Sequence, residues 1–154
     1  MSSVVTEEMR SFIGAESPPI TYCVSHREIA RFNAAIRGEL PPVESDPESH
    51  GNPRLLEANP LILRSFISAP FDPPFPEPFH DVLDGGSSFE FIRSVVAGDE
   101  ITVVREMQDV FEKSGRFGPM LFKISEVRYR DFAGQLVATQ QSTSISYGRP
   151  AGSV

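Results

Sequence analysis

Between Asp84 and Tyr147 four strand-like segments follow one another with only short turn signals between them. Asp84-Gly85-Gly86 opens the series, Ala97-Gly98-Asp99 separates the first pair, Ser114-Gly115 the second and Ala133-Gly134 the third. Each cluster supplies residues that accept tight or left-handed backbone, and connections this short cannot return a chain to form parallel neighbours. The spacing therefore predicts an antiparallel meander. Its second member, Glu100 to Lys113, is far longer than the usual strand of about 5 or 6 residues, and long strands in a small sheet twist and curl. A curled sheet has to wrap something.

The residues upstream offer candidates for the filling. Residues 1–19 read as a lead-in, with Phe12 and Ile13 as anchors before Pro18 and Pro19. Ile20 to Val24 is a short strand-like run. Ser25 and Glu28 then have the spacing of a capping box, Ile29, Phe32 and Ile36 recur at helical spacing, and Gly38 supplies a stop, so a helix is predicted here. From Glu39 to Pro53 the composition is that of a long loop. Asn59 and Pro60 form an N-cap and first-turn pair for a second helix, whose Leu61, Ile62, Leu63, Phe66 and Ile67 surround nearly its whole circumference. A helix apolar all round is a buried one, and this one is expected to fill the sheet. Pro70, Pro73, Pro74, Pro76 and Pro78, interleaved with Phe71, Phe75 and Phe79, predict a stiff strap with buried phenylalanines; a ligand for proline-binding domains is the other reading.

Within the strands, Phe89 and Phe91 alternate with polar residues, and Ile101, Val103, Met107 and Phe111 are expected to share the inward face of the long strand. In the next, Phe122 and Ile124 fall on one parity and Val127 and Tyr129 on the other, which predicts a bulge or a switch of covered face. Leu136 to Tyr147 is rich in Thr and Ser, as half-exposed strands are, and 148–154 read as a disordered tail. A chain of 154 residues is one domain by size, here placed at 20–147.

A formal net charge of −7 excludes general nucleic-acid binding, which needs a basic footprint. No apolar run approaches the roughly 20 residues of a membrane span, and the acidic start lacks the features of a secretory signal. One cysteine, Cys23, agrees with a reducing compartment, and the expected location is the cytoplasm. The three histidines, His26, His50 and His80, lack metal-ligand spacing, so no metal is expected.

A sheet curled around one helix, an α+β arrangement, is that of the hot-dog fold, and several stretches become familiar in that frame. They are Val24-Ser25, Leu83-Asp84-Gly85-Gly86-Ser87-Ser88-Phe89-Glu90-Phe91, Val96-Ala97-Gly98-Asp99, Phe111-Glu112-Lys113-Ser114-Gly115-Arg116, Met120-Leu121-Phe122 and Leu136-Val137-Ala138-Thr139. In order and spacing the chain, from about Tyr22 to Tyr147, resembles the N-terminal hot-dog domain of MaoC-like dehydratases, which also occurs as the partner subunit of 3-hydroxyacyl dehydratases. Catalytic members resemble (R)-specific enoyl-CoA hydratases, whose loop Gly-Asp-x-Asn-Pro-aliphatic-His supplies an acid and a base. The matching stretch here is Gly38-Glu39-Leu40-Pro41-Pro42-Val43-Glu44, with Glu39 at the aspartate position and Glu44 at the histidine. A glutamate with a pKa near 4.3 cannot both take and return a proton near neutrality as histidine can, unless burial raises it by about two units. Solvated glutamates and a carboxylate dyad both stay open.

The resemblance implies an acyl-CoA or acyl-carrier thioester as substrate, no separate cofactor, and a second hot-dog subunit, as heterodimer or heterotetramer, with a homodimer when the chain is alone. On that view this chain shapes the acyl tunnel and the partner carries the Asp/His pair. An acyl-CoA thioesterase using Glu39, Glu44 or Asp84, and a non-catalytic acyl-binding module, are the alternatives. Substrate-binding candidates are Asp84, Gly85 and Gly86, with Arg93, Arg105, Lys113 and Arg116 as cations for coenzyme A phosphates. A solvated hairpin tip is the other reading of Lys113 and Arg116.

Overall fold

The computed structural model describes residues 3–39, 56–115 and 118–150, with residues 149 and 150 in backbone only. Glu44, His50 and Arg116 lie outside the described residues. Helices α1 (Glu7–Ser11) and α2 (His26–Arg37) and a 3₁₀ helix (Pro60–Ser65) accompany five strands, β1 (Ile20–Cys23), β2 (Phe79–Phe91), β3 (Glu100–Gly115), β4 (Gly118–Arg130) and β5 (Leu136–Pro150). The strands form one antiparallel sheet in the order β1-β3-β4-β5-β2.

Helix α2 starts and stops where its sequence dictates. Ser25 Oγ accepts from the Glu28 N–H at 3.2 Å while a Glu28 carboxylate oxygen accepts from the Ser25 N–H at 2.8 Å. These two bonds satisfy donors that the first turn leaves open. At the other end Gly38 takes φ +69°, where any side chain would be strained. Of the expected stripe, Ile29 is fully buried and Phe32 packs against the core, but Ile36 is exposed.

The second helix differs from expectation. Asn59 caps it as predicted, its Oδ1 accepting from Leu61 N–H at 3.0 Å, but the segment is a short 3₁₀ helix. Only Ile62 and Leu63 are buried; Leu61 and Ile67 are exposed. The cause is tertiary. Phe66 leaves the helix in an extended conformation to stack on Tyr22, with ring centres 4.8 Å apart, and the Tyr22 hydroxyl donates to Ile67 O at 2.7 Å. The sheet therefore wraps two short pieces, α2 through Ile29 and the 3₁₀ helix through Ile62 and Leu63, together with Val95, Ile101, Val103, Val127, Tyr129 and Ala138.

The meander holds for β3, β4 and β5 but not for β2, which crosses to the far edge and pairs with β5. Residues 92–99 form a crossing rather than a hairpin turn. Val95 O accepts from Ala58 N–H at 2.8 Å and Val96 bridges Glu57, so this segment is already occupied by the chain ahead of the 3₁₀ helix. Asp84-Gly85-Gly86 likewise does not open a turn. It is a bulge within β2, where the pairing slips between Asp84 and Ser87. Gly86 has φ +106°, and a Cβ on Gly85 would lie 2.9 Å from Thr143 Cγ2, so the bulge needs both glycines.

The face switch expected between Ile124 and Val127 is absent. β4 keeps one parity inward throughout, with Leu121, Ser125, Val127 and Tyr129 buried. β3 has the bulge, between Met107 and Asp109. Its inward set runs Ile101, Val103, Met107 and then Val110, which turns Phe111 outward to stack on Phe122 at 5.2 Å, contrary to its expected inward place.

The lead-in is part of the domain: Val5, Met9 and Phe12 join Phe71, Phe79, Met107, Val110 and Leu121 in a second apolar cluster. The strap phenylalanines are inside as expected, Phe71 and Phe79 buried and Phe75 edge-on to Phe12 at 5.2 Å, although Phe79 already belongs to β2. β5 runs to Pro150, so 148–150 extend the sheet where a tail was expected. Beyond β1, the edge of β3 is covered by the lead-in through Gly14 N to Met107 O and Ser17 N to Arg105 O, at 2.8 and 2.7 Å. The β2 edge has no such cover among the described residues.

Candidate functional site

The residues singled out by sequence are dispersed. Glu39 sits at the end of α2, exposed, with Arg37 Nε 3.0 Å from its carboxylate. Arg93 is engaged within the fold: Nη1 donates to Asp99 at 2.8 Å and Nη2 reaches Asp131 at 3.3 Å, tying the β2–β3 crossing to the β4–β5 hairpin. Asp99 pushes the Arg93 pKa up, and the Gln135 N–H, with help from Arg93, holds the Asp131 carboxyl below its usual range. The open cleft of about 350 Å³ beside this clamp is lined by Asp99, Glu100 and Asp131 as well as Arg93, a field unsuited to a phosphate. Lys113 lies on the outer face over the Phe111 and Phe122 rings, at 5.3 and 5.0 Å. Arg105 faces inward, 4.6 Å from the Phe71 ring centre, and donates to Ala69 O at 3.2 Å, which stitches the strap to β3; burial lowers its pKa.

Asp84, with the bulge, is the one candidate group on the rim of the wrapped face, and the structure gathers unforeseen residues around it. Directly opposed residues on antiparallel strands share a face. The register aligns Val127 with Gln140 and Gln140 with Phe89, then Ser125 with Ser142 and Ser142 with Ser87, then Lys123 with Ser144 and Ser144 with Asp84. Because Val127 and Ser125 are buried inward, the whole grid lies on the wrapped face. A polar strip thus separates the two apolar clusters and ends at the exposed β2 edge.

Five contacts organise the strip. The buried Tyr129 hydroxyl donates to Gln140 Oε1 at 2.9 Å, and Gln140 Nε2 donates to Ser87 Oγ at 3.2 Å. Arg64 reaches from the 3₁₀ helix to Asp84, with Nη2 3.6 Å from Oδ2; both are more than half exposed, so the pair adds little stability. Deeper in, Lys123 pairs with Glu77 of the strap, and Ser146 donates to the same carboxylate. Sequence reasoning missed Arg64, Ser87, Tyr129 and Gln140. The available signal was period-two alternation: Gln140, Ser142, Ser144 and Ser146 occupy every second position of β5, a pattern of one polar face rather than of a half-exposed strand.

Burial pushes the Tyr129 phenol up to about 12, so it stays a neutral donor across the physiological range. Below pH 10 neither the folded nor the unfolded chain ionises this group; between 10 and 12 only the unfolded chain does, so stability falls as pH rises. The loss by pH 11 is about 1.4 kcal/mol. Urea midpoints at pH 9 and 11 should show this drop in the wild type and lack it in Tyr129→Phe; equal drops in both would reject the assignment.

Among the described residues, no group of three or more His, Cys, Asp and Glu could hold a metal ion, and no helix is long and apolar enough to cross a membrane. No curated protein matches the chain. Among solved structures, a chain of the ChsH1–ChsH2 complex from Mycobacterium tuberculosis superimposes with a TM-score of 0.69 at 16% identity, covering 96% of this chain and 97% of that one. The (R)-hydratase from A. caviae involved in PHA biosynthesis gives 0.56 at 19% identity, over 86% and 94%. The C-terminally truncated HadBC (3R-hydroxyacyl-ACP dehydratase) complex from M. tuberculosis gives 0.56 at 18%, over 88% and 97%. At these identities the likeness is one of fold. The model of the FAS1-like dehydratase domain region matches residues 11–140, most of the chain. With its curled five-stranded sheet in the order β1-β3-β4-β5-β2, the chain belongs to that FAS1-like dehydratase family, as a MaoC-like hot-dog domain.

Proposed function

We propose that this chain is the tunnel-shaping subunit of an acyl-thioester hydratase/dehydratase, completed by a second hot-dog subunit that brings the proton-transfer pair. The observation that carries the reading is the β2 edge. Thirteen residues long, it is exposed over most of its length, with Val82, Leu83 and Phe91 all large and open, and it forms the rim of the polar strip. An uncovered edge of this kind invites another strand, and extending the sheet there would place the partner's residues over the strip. Two of the structural neighbours are complexes of two chains, which accords with this arrangement. In the hydration direction a water oxygen bonds to the β-carbon of a 2-enoyl thioester while a proton is delivered to the α-carbon. The partner's aspartate and histidine would take the water proton and supply the other. The wrapped face of this chain would hold the acyl group in line.

Mass spectrometry under native conditions and an enoyl-CoA hydration assay test this, with the chain alone and with a hot-dog partner carrying the intact aspartate and histidine. The expected result is a heteromer with activity and a lone chain without it. Glu39→Gln in the complex should keep the rate within about tenfold, or ~1.4 kcal/mol of barrier. Full hydratase activity in the lone chain would overturn the reading, and release of free coenzyme A by it would favour the thioesterase.

A further inference from the structure

The hydrogen bonds of the strip run in one direction, and that direction ends at an unspent donor. A buried phenol must place its proton on an acceptor, and among the described residues Gln140 Oε1 takes it, 2.9 Å away. This fixes the amide orientation, so Nε2 points outward and donates to Ser87 Oγ at 3.2 Å. A serine hydroxyl has one proton and two lone pairs. Gln140 occupies a lone pair of Ser87, and among the described residues no acceptor takes the Ser87 proton. The anchor of the chain, Tyr129, is fully buried among Ile101, Val103 and Val127, while Ser87 is exposed on the edge strand immediately after the glycine bulge. Donors in series polarise one another, which strengthens the terminal O–H as a donor.

We propose that Ser87 is a substrate-contacting hydroxyl, aimed by Tyr129 and Gln140, that donates to a carbonyl oxygen of the acyl thioester bound at the seam with the second subunit. This assignment rests on the tunnel-subunit reading and adds to it a residue contributed from the side without the proton-transfer pair. Several features favour a carbonyl over other ligands. The group offered is a neutral donor, it stands on the rim of a face whose far wall is apolar, and Arg64, the cation that reaches this rim, is already directed at Asp84. Two oxygens of an acyl-CoA fit this chemistry, the thioester carbonyl and an amide carbonyl of the pantetheine arm. The first gains negative charge as the α-carbon exchanges its proton, so a donor there acts on kcat; the second is bound equally in ground and transition states, so a donor there acts on KM.

The experiment uses the active heteromer with Ser87→Ala, Ser87→Thr, Tyr129→Phe and Gln140→Leu in this chain, followed by hydration of an enoyl-CoA. Ser87→Ala should lower kcat/KM by about 10- to 100-fold, in kcat for the thioester carbonyl and in KM for the amide. Ser87→Thr, which keeps the hydroxyl, should recover most of it. Tyr129→Phe and Gln140→Leu leave the edge strand untouched, and each should lower kcat/KM by about 3- to 10-fold in the same parameter as Ser87→Ala. Wild-type kinetics within twofold in Ser87→Ala, or in both positioning variants, would overturn the assignment while the parent complex remains active and the tunnel-subunit reading stands. A wild-type chain that gives no activity with any hot-dog partner, or full activity alone, would remove that reading and the assignment with it.

Discussion

Val82→Asp combined with Leu83→Asp is expected to weaken association with the partner subunit by at least about 100-fold while leaving the chain folded. The two side chains are 54% and 51% exposed and point to opposite faces of β2, so a strand added along this edge would cover one on each side. A lasting interface of this kind buries about 1,600 Å² in total. Replacing two central apolar contacts by carboxylates removes their burial and adds the cost of desolvating charge, together roughly 3 kcal/mol or more. Neither residue supports the chain's own core, so the urea midpoint of the isolated chain should move by less than about 1 kcal/mol equivalent. Sedimentation of the wild-type and doubly substituted chains with the partner reads the outcome. Unchanged affinity would show that the partner docks elsewhere, with the β2 edge open in the complex.

Leu63→Ala should cost about 2 to 5 kcal/mol, whereas Leu61→Ala, two residues away in the same 3₁₀ helix, should cost under about 1 kcal/mol. Leu63 is 1% exposed within the cluster formed by Ile62, Ile29 and the inward faces of β3 and β4; Leu61 is 45% exposed. In a domain of this size a kilocalorie corresponds to roughly 2–4 °C, so thermal midpoints should separate by about 5 to 15 °C. Equal losses from both substitutions would mean that the segment is wrapped on all sides, as a continuous apolar helix would be.

That contrast shows where the sequence stopped being informative. Leu61, Ile62, Leu63, Phe66 and Ile67 carry equal apolar weight, and nothing local ranks them. The ranking comes from Tyr22, some forty residues upstream, which draws Phe66 and Ile67 out of the helix. The capping box at Ser25 and Glu28, the glycine stop at 38, the Asn59 cap and the β3–β4 and β4–β5 hairpin turns were legible because each depends on residues within a few positions of one another. The MaoC-like character was legible too, as an ordered set of short stretches. The candidate site was not. Arg93 and Lys113 were found by charge, and charge does not say that two carboxylates or two aromatic rings already hold them.

Sequence by itself determined α2 with both of its ends, the cap at Asn59, the long third strand and the family. Tertiary structure decided the neighbours: that β2 pairs with β5 and not with β3, that a bulge in β3 turns Phe111 outward, and that the serines of β5 face the wrapped side. The physical reason is that register belongs to a pair of strands and to neither strand alone, and a shift of one residue exchanges its two faces. Ser87 and Gln140, 53 positions apart, become one donor chain with Tyr129 only when that register is set.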